Sequence, residues 1–344
     1  MIRHLQIPHP PQPAQAPCLT RGFASSGIIR HWEIPVSGKF QEGCSRTITM
    51  SCMAKNQPTV RMRRLGVELR KLREERDLTL DQAAELLSLS KSALNRMENA
   101  QVITRAHEVK YFIMMYEVTD KARRDALLGL ASAGRSKDWV KRYGALSPDS
   151  SVADLALLEQ DSSAIRACHP FGIPGLLQTA DYARAVKGSI RLDPARDIDR
   201  AVAFRMARKE VLSRSVPVQF DAVIGEAALR QRMGGVGILR DQLRHLLDAS
   251  RPANVTVRVL PYEAARHPGF DGPFTMLDVE AGHFTVVVVD GLARSVYLED
   301  DADVERYRVA FAELCAVVLS ETDSRTLIER VLGEFEAVPE EGAG

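Results

Sequence analysis

Apolar residues recur with a helical period in the stretch that begins near residue 60. Leu65, Leu69 and Leu72 are spaced so that one face of a helix is apolar, and this helix is predicted to end near Asp77. Residues 79–82, Thr-Leu-Asp-Gln, then have the composition of a capping box, in which a Thr hydroxyl and a Gln side chain each bond a backbone amide of the other residue. The pattern predicts that a second helix begins there.

Three more short helices follow the second one. Ser90 is predicted to cap a third helix that directs Leu94 and Met97 inward, and Thr119 is predicted to cap the fifth. The apolar sets of the fourth and fifth helices are Val109, Phe112, Ile113 and Tyr116, and then Ala122, Ala126, Leu127 and Leu130. The pattern therefore predicts a compact all-α bundle of five helices over residues 59–135.

The chain has a mixed pattern after a predicted linker at residues 136–151. Helices are predicted at 152–166, 179–187, 196–213, 225–232, 236–249, 302–319 and 324–335. Strands, several rich in β-branched residues, are predicted at 218–224, 255–260, 274–279, 284–289 and 295–298. These elements predict an α+β domain over residues 152–335 with a small mixed or antiparallel sheet, so the fold class is α+β overall. The strand order does not follow from the pattern.

The two ends of the chain have no apolar period. Residues 1–58 combine Pro, Gln, Ser and Gly with isolated apolar residues, and we predict that they are disordered, as is a tail at 336–344. Met50 and Met53 lie shortly before the first periodic segment, and two alternatives stay open: translation begins at Met1 or near these residues.

Composition and charge exclude several classes of protein. No run of about 18 apolar residues exists, and the N-terminus lacks the apolar core of a secretory signal, so we expect a cytoplasmic protein that does not span a membrane. Five cysteines without any Cys-x-x-Cys spacing indicate neither a disulfide framework nor a zinc site. The net charge is +1, but residues 59–142 carry 18 Lys and Arg against 12 Asp and Glu. A basic domain of this kind suits a polyanionic partner, although a solvated surface gives the same count.

The second and third helices meet the physical requirements of a helix-turn-helix. Ala84 is small where two helices must approach closely, Ser88 lies at the tight turn, and Leu94 packs back on the second helix. With Arg73 and Glu98 in place, the stretch resembles the XRE, or lambda-repressor-like, family of regulators. This resemblance implies an ion pair that joins Arg73 to Glu98.

The segment departs from the pattern of that family at three places. Ser88 stands where the turn usually has Gly, Leu80 where a polar residue is common, and Asn99-Ala100 where Asn-Gly or Arg-Gly is usual.

The resemblance also implies a way of docking on duplex DNA. The third helix would enter the major groove, with Lys91, Ser92 and Asn95 at base edges, because Lys donates to guanine acceptors and Asn pairs with adenine. Phosphate contacts are predicted for Arg96, Arg105 and Lys110. The alternative for Lys91, Ser92 and Asn95 is a solvated helix face without a role in recognition. Arg105 and Lys110 have the same alternative of a solvated surface.

A second resemblance covers residues 152–332. The run Ile-Pro-Gly-Leu-Leu-Gln-Thr at 173–179, with motifs such as Phe-Arg-Met-Ala-Arg at 204–208, is similar to the domain of unknown function that follows an XRE domain in actinobacterial, WhiJ-like and antitoxin-like regulators. The residues themselves indicate a turn at Pro174-Gly175 and a helix capped by Thr179. Arg205 and Arg208, one helical turn apart, either line a pocket for an anionic ligand or acidic partner, or form a solvated or ion-paired surface.

Signatures of catalysis are missing from the sequence. His107-Glu108 lacks the second His of a His-Glu-x-x-His zinc helix, and residues 234–237, Gly-Gly-Val-Gly, lack the Lys of a phosphate-binding loop. We therefore expect that the protein is not an enzyme and that it binds neither a cofactor nor a metal. Three functions remain open: a DNA-binding regulator, an antitoxin-like protein that binds a small partner encoded nearby, and a hydrolase with a DNA-targeting domain. The expected partners are duplex DNA, a second copy of the chain in a homodimer, and that small protein.

Overall fold

The computed structural model describes residues 58–132, 150–189, 197–280, 282–291 and 295–337. The predictions made for residues 1–57, for most of the linker and for residues 338–344 lie outside this part of the chain. Residues 58–132 are called the head below, and residues 150–337 the body.

The head is a bundle of five helices, as the apolar pattern predicts. Their bounds are Val60–Glu74 (α1), Leu80–Leu86 (α2), Lys91–Glu98 (α3), Ala106–Met115 (α4) and Lys121–Ala131 (α5). Most of the predicted apolar residues form its core, where Leu69, Leu94, Phe112 and Leu127 are almost fully buried. Ala122, predicted on the apolar face of α5, is instead exposed, because it lies in the first turn of that helix.

The helix starts are set by side-chain caps. The capping box of Thr79 and Gln82 is present, and the Ser90 hydroxyl accepts a hydrogen bond from the amide of Ala93 at 3.2 Å. The predicted cap of α5 is wrong: Asp120, not Thr119, caps this helix, because its carboxylate accepts from two amides of the first turn. A carboxylate offers two acceptor oxygens to the amides at the helix N-terminus, whereas a hydroxyl offers one oxygen.

The head ends its helices without glycine. Asp77, Ser88, Ala100 and Glu117 follow the first four helices and have φ values of 55°, 52°, 55° and 44°. This left-handed conformation favours glycine, because a side chain there meets the backbone. Ser88 and Ala100, two of the departures from the family pattern, therefore keep the backbone conformation that glycine would adopt.

The body contains seven further helices in its described residues: Ser150–Asp161 (α6), Ala180–Ser189 (α7), Ile198–Arg208 (α8), Glu226–Arg230 (α9), Val236–Ala249 (α10), Asp301–Val317 (α11) and Glu321–Glu336 (α12). Short 3-10 turns lie at Gly175–Leu177, Lys209–Leu212 and Pro268–Asp271. The Thr179 hydroxyl accepts from the amide of Tyr182 at 3.2 Å, so the predicted cap is confirmed.

Six strands form one mixed sheet. They are Ser162–His169 (β1), Gln219–Gly225 (β2), Val255–Leu260 (β3), Phe274–Val279 (β4), Phe284–Asp290 (β5) and Ser295–Leu298 (β6). Their order is β3-β2-β1-β4-β5-β6, with β1, β2 and β3 parallel and the remaining neighbours antiparallel. Helix α11 packs on one face of the sheet, and α6, α7, α10 and α12 contribute to the core on the other.

Strand β1 is the main error of the sequence prediction, which extended a helix from 152 to 166. The helix ends at Asp161, and β1 begins at Ser162. Ile165 and Ala167 bury into the core on one face of the sheet, whereas Cys168 buries into the core on the other. A central strand is apolar on both faces and therefore lacks the clear alternation by which strands are recognised.

Candidate nucleic-acid interface

Helix α3 presents a polar face to solvent. Lys91, Ser92, Asn95 and Arg96 are all exposed, whereas Leu94 and Glu98 on the opposite side are buried. The structure therefore brings four of the six predicted DNA-binding residues together on one surface of one helix. An exposed helix face with donors of this kind fits the width of the major groove.

An ion pair holds α3 against α1. The Nε and Nη2 atoms of Arg73 donate to the two carboxylate oxygens of Glu98 at 2.7 and 2.9 Å, and Nη1 donates to the carbonyl of Leu78 at 3.0 Å. The hydrogen bond to Glu98 raises the pKa of Arg73, although partial burial opposes this shift. The pair that the family resemblance implies is confirmed. It fixes the end of α3 through two parallel charge-assisted hydrogen bonds.

Gly66 lets α1 and α3 approach each other closely. A Cβ atom at this position would lie 2.6 Å from the carbonyl oxygen of Glu98, which is closer than a real Cβ comes. Sequence reasoning missed this contact. The available signal was a glycine inside an otherwise helical pattern, which often marks a close approach of backbones.

The side chains on the exposed face of α3 interact with their neighbours. Lys91 Nζ donates to Asp81 Oδ2 at 2.8 Å, and both side chains of this pair are exposed to solvent. Asn99 Nδ2 donates to Asn95 Oδ1 at 2.9 Å, and Arg70 Nη2 donates to Asn99 Oδ1 at 2.7 Å. The row from Arg70 through Asn99 to Asn95 orients the amide that is predicted to read a base.

Arg70 and Asn99 were not among the predicted site residues. Asn99 is exposed and lies one helical turn after Asn95, and this i, i+4 spacing was the signal that could have found it. Arg70 lies on α1, and only the packing of α1 on α3 brings its guanidinium to this surface.

The remaining two predicted residues lie on a different element. Arg105 immediately precedes α4, where its amide donates to Glu108 Oε2 at 2.6 Å, and Lys110 lies within α4. Both are exposed, but they do not share the face of α3. Their contact with phosphates stays a prediction, as does the contact of the α3 residues with bases.

Two family profiles match the chain. One, described as a helix-turn-helix domain, matches residues 64–127, and the other, described as a domain of unknown function, DUF5753, matches residues 152–330. No curated protein and no solved structure matches. The architecture implied by the two resemblances, an XRE-like head in front of a domain of unknown function, is therefore confirmed. Among the helices of the described ranges, none is long and apolar enough to cross a membrane.

Proposed function

Because the chain belongs to the family of proteins that contain DUF5753 and has a helix-turn-helix domain in front of it, we propose that it is a sequence-specific, DNA-binding regulator of transcription. The observation that carries the proposal is the exposed polar face of α3, held in place by the Arg73–Glu98 pair. Helix α3 enters the major groove, where Lys91, Ser92 and Asn95 contact base edges.

The remaining cations position the head on the duplex. Arg96, Arg105 and Lys110 are exposed and contact phosphates, which provides affinity that falls with salt but no sequence selection. Lys91 must exchange Asp81 for a base or a phosphate. Since this pair is exposed, breaking it costs little, on the order of 0–1 kcal/mol.

The body assembles the regulator or senses a signal, and it performs no catalysis. One helix-turn-helix reads few base pairs, and two heads on half-sites about one helical turn apart are the usual arrangement, so we propose a homodimer. A second candidate is an antitoxin-like role, in which the body binds a small protein encoded nearby. Phe171, Tyr262 and Phe270 are exposed aromatic residues of the body, and their replacement by Ala would test contact with such a protein. Sedimentation of the full chain, alone and with proteins encoded beside it, separates the two.

Selection from a pool of random duplexes tests the proposed function. The full chain should enrich one sequence motif, and this motif should be lost when Lys91, Ser92 and Asn95 are all replaced by Ala. A matched control replaces Lys121, Arg124 and Ser132, which are exposed on or next to α5, and should enrich the same motif. Enrichment of no motif, or of the same motif by both triple variants, would refute the proposal.

A further inference from the structure

The body contains a cavity of about 540 Å³, partly open to solvent, beside the carboxyl end of β1. One wall is the sheet, with Ile165, Ala167 and His169 pointing into the cavity from alternate positions of β1. Helices α6, α7 and α8 provide the facing walls, with Tyr182 and Val186 on α7. The volume lies within the range of about 300–1,000 Å³ that is typical of sites for small molecules.

A buried ion pair closes one side of the cavity. Arg208 donates to both carboxylate oxygens of Glu159, at 2.7 and 2.6 Å, and both residues are buried. The sequence left two alternatives for Arg205 and Arg208, a pocket for an anion or an ion-paired surface. In the structure both arginines line the cavity, and Arg208 is also ion-paired with Glu159.

Arg205 is the second guanidinium in the wall. Its Nη1 atom donates to Oε1 of the buried Gln178 at 2.5 Å, and Gln178 in turn donates to the carbonyl of Ile173 at 2.7 Å. The side chain of Arg205 also passes beside Gly175, where a Cβ would lie 3.7 Å from Nε. The Pro-Gly-Leu-Leu-Gln-Thr run therefore positions a guanidinium at the cavity.

The charges of the lining favour an anion. Lys187, Arg205 and Arg208 are opposed by Glu159 and Asp290. Glu159 is neutralised by Arg208, and Asp290 is exposed and accepts from the Ser295 hydroxyl at 2.6 Å. Among the described residues of the lining, three side chains are cationic and two are anionic, so their formal charges sum to +1.

His169 adds a polar group without adding charge. Burial, together with the positive charge of Arg205, lowers the pKa of His169 to about 4, although Asp290 opposes this shift. The imidazole is therefore neutral near pH 7 and can either donate or accept a hydrogen bond.

We propose that this cavity binds a small organic anion with an apolar body, and that its occupancy is transmitted to the head. The carboxylate or other acid group of such a ligand lies at Arg205 and Gln178, and its apolar part packs on Ile165, Tyr182 and Val186.

Helix α6 connects the cavity to the head. Val152, Leu155 and Glu159 line the cavity at i, i+3 and i+7. On another face of α6, Asp154 accepts a hydrogen bond from the amide of Val60 at 3.0 Å, and Asp161 forms an ion pair with Arg61. Val60 and Arg61 are the first two residues of α1. A shift of α6 when a ligand binds must therefore change the contacts of α1, the helix to which α3 is attached by the Arg73–Glu98 pair.

Strand β6 provides a parallel connection. Ser295 lines the cavity at the start of the strand, and Glu299, just after its end, accepts from Arg63 Nε and Nη2 at 2.8 and 2.6 Å. Both connections thus end on the first turn of α1. The regulatory meaning of this link rests on the proposed DNA binding, whereas the ligand site itself does not.

Fluorescence titration of the full chain with anilinonaphthalene sulfonate, an aromatic anion, tests the site. Arg205→Met should weaken binding by about tenfold, as expected for a lost charge-assisted hydrogen bond. Val186→Trp, which places an indole where the apolar part of the ligand packs, should abolish binding, and Arg251→Met, at an exposed arginine outside the lining, should change nothing. Binding of the uncharged probe phenylnaphthylamine should be lost in Val186→Trp and unchanged in Arg205→Met. Circular dichroism confirms that each variant is folded.

The same samples test the link to the head without DNA. Saturation with the sulfonate should change amide hydrogen exchange across residues 60–74 at least twofold in the wild type and not in Val186→Trp. Equal affinity of the sulfonate for the wild type, Arg205→Met and Val186→Trp would refute the site, and unchanged exchange at saturation would refute the link. If no motif were selected from random duplexes while the sulfonate still bound as expected, the proposed function would fail and the site would stand.

Discussion

The head and the body each contain a buried arginine–glutamate pair with two parallel hydrogen bonds, but the two pairs differ in their surroundings. In the head, Arg73 keeps 12% of its side chain exposed and also donates to the carbonyl of Leu78. In the body, Arg208 and Glu159 are 8% and 4% exposed and line a cavity. In the body pair, the charge of Arg208 is stabilised mainly by Glu159, with a further contribution from Asp290. In the head pair, Arg73 has a second acceptor in the carbonyl of Leu78, and Arg70 lies 3.6 Å from Glu98.

The pairs also differ in how far the sequence reveals them. Arg73 and Glu98 lie 25 residues apart within one bundle whose helices follow from the apolar pattern. Arg208 and Glu159 lie 49 residues apart, on α8 and α6, and meet only because the chain passes through β1 between these helices. Since β1 was predicted as helix, the second pair could not be predicted.

The largest effect is expected for Glu159→Ala. This change leaves the guanidinium of Arg208 buried without its partner, and we expect the free energy of unfolding to fall by about 3–5 kcal/mol. Denaturation in urea, followed by circular dichroism, measures it. The control is Glu159→Leu combined with Arg208→Met, which removes both charges and should recover most of the loss. A double variant no more stable than Glu159→Ala would show that the pair does not act as a unit.

Acidification should destabilise the body before the head. The pKa of His169 is about 4 in the folded protein and about 6.5 in an unfolded chain, so the unfolded state binds more protons between these values. Stability contributed by the neutral imidazole is complete above pH 6.5 and is lost as the pH falls towards 4. We expect a loss of up to about 3 kcal/mol, reduced by contact of the ring with solvent. His169→Gln should flatten this part of the profile, and an unaltered profile would contradict the assignment.

Glu98→Ala should have a smaller effect than Glu159→Ala. Arg73 keeps its hydrogen bond to Leu78 and its contact with solvent, so we expect a loss of about 2 kcal/mol. Urea denaturation of the two variants side by side measures the difference. A loss at Glu98 equal to that at Glu159 would remove the distinction between the pairs.

The smallest effect is expected at the turn between α2 and α3. Ser88→Gly should stabilise the protein by about 0.5–1 kcal/mol, because glycine adopts the left-handed conformation without strain. Ser92→Gly is the matched control inside α3 and should destabilise by a similar amount. Thermal unfolding measures both, and changes of the same sign would argue against strain at Ser88.

The sequence predicted those parts of the fold that depend on local physics. The capping box at Thr79 and the bounds of β3, β4 and α10 depend on neighbouring residues, and they agree with the structure. The order of the six strands and the central position of β1 depend on pairing across the chain, which leaves no local signal.

The candidate site divides in the same way. The exposed face of α3 follows from helical spacing, which places Lys91 and Asn95 one turn apart on the side opposite Leu94. The participation of Arg70 follows only from tertiary packing, because it reaches Asn99 from α1. For the cavity of the body, the sequence showed only that Arg205 and Arg208 lie on the same side of one helix. The other walls of the cavity could not be predicted.

The most direct test of the account is the ratio of affinities for the selected duplex and for a scrambled duplex, measured by fluorescence anisotropy at one fixed salt concentration. Asn95→Ala should weaken binding to the selected duplex by about 1–3 kcal/mol and leave the scrambled duplex almost unchanged, so the ratio falls. Lys110→Ala should weaken both duplexes equally and keep the ratio. An unchanged ratio in Asn95→Ala, with helix content also unchanged, would contradict the claim that α3 reads the DNA sequence.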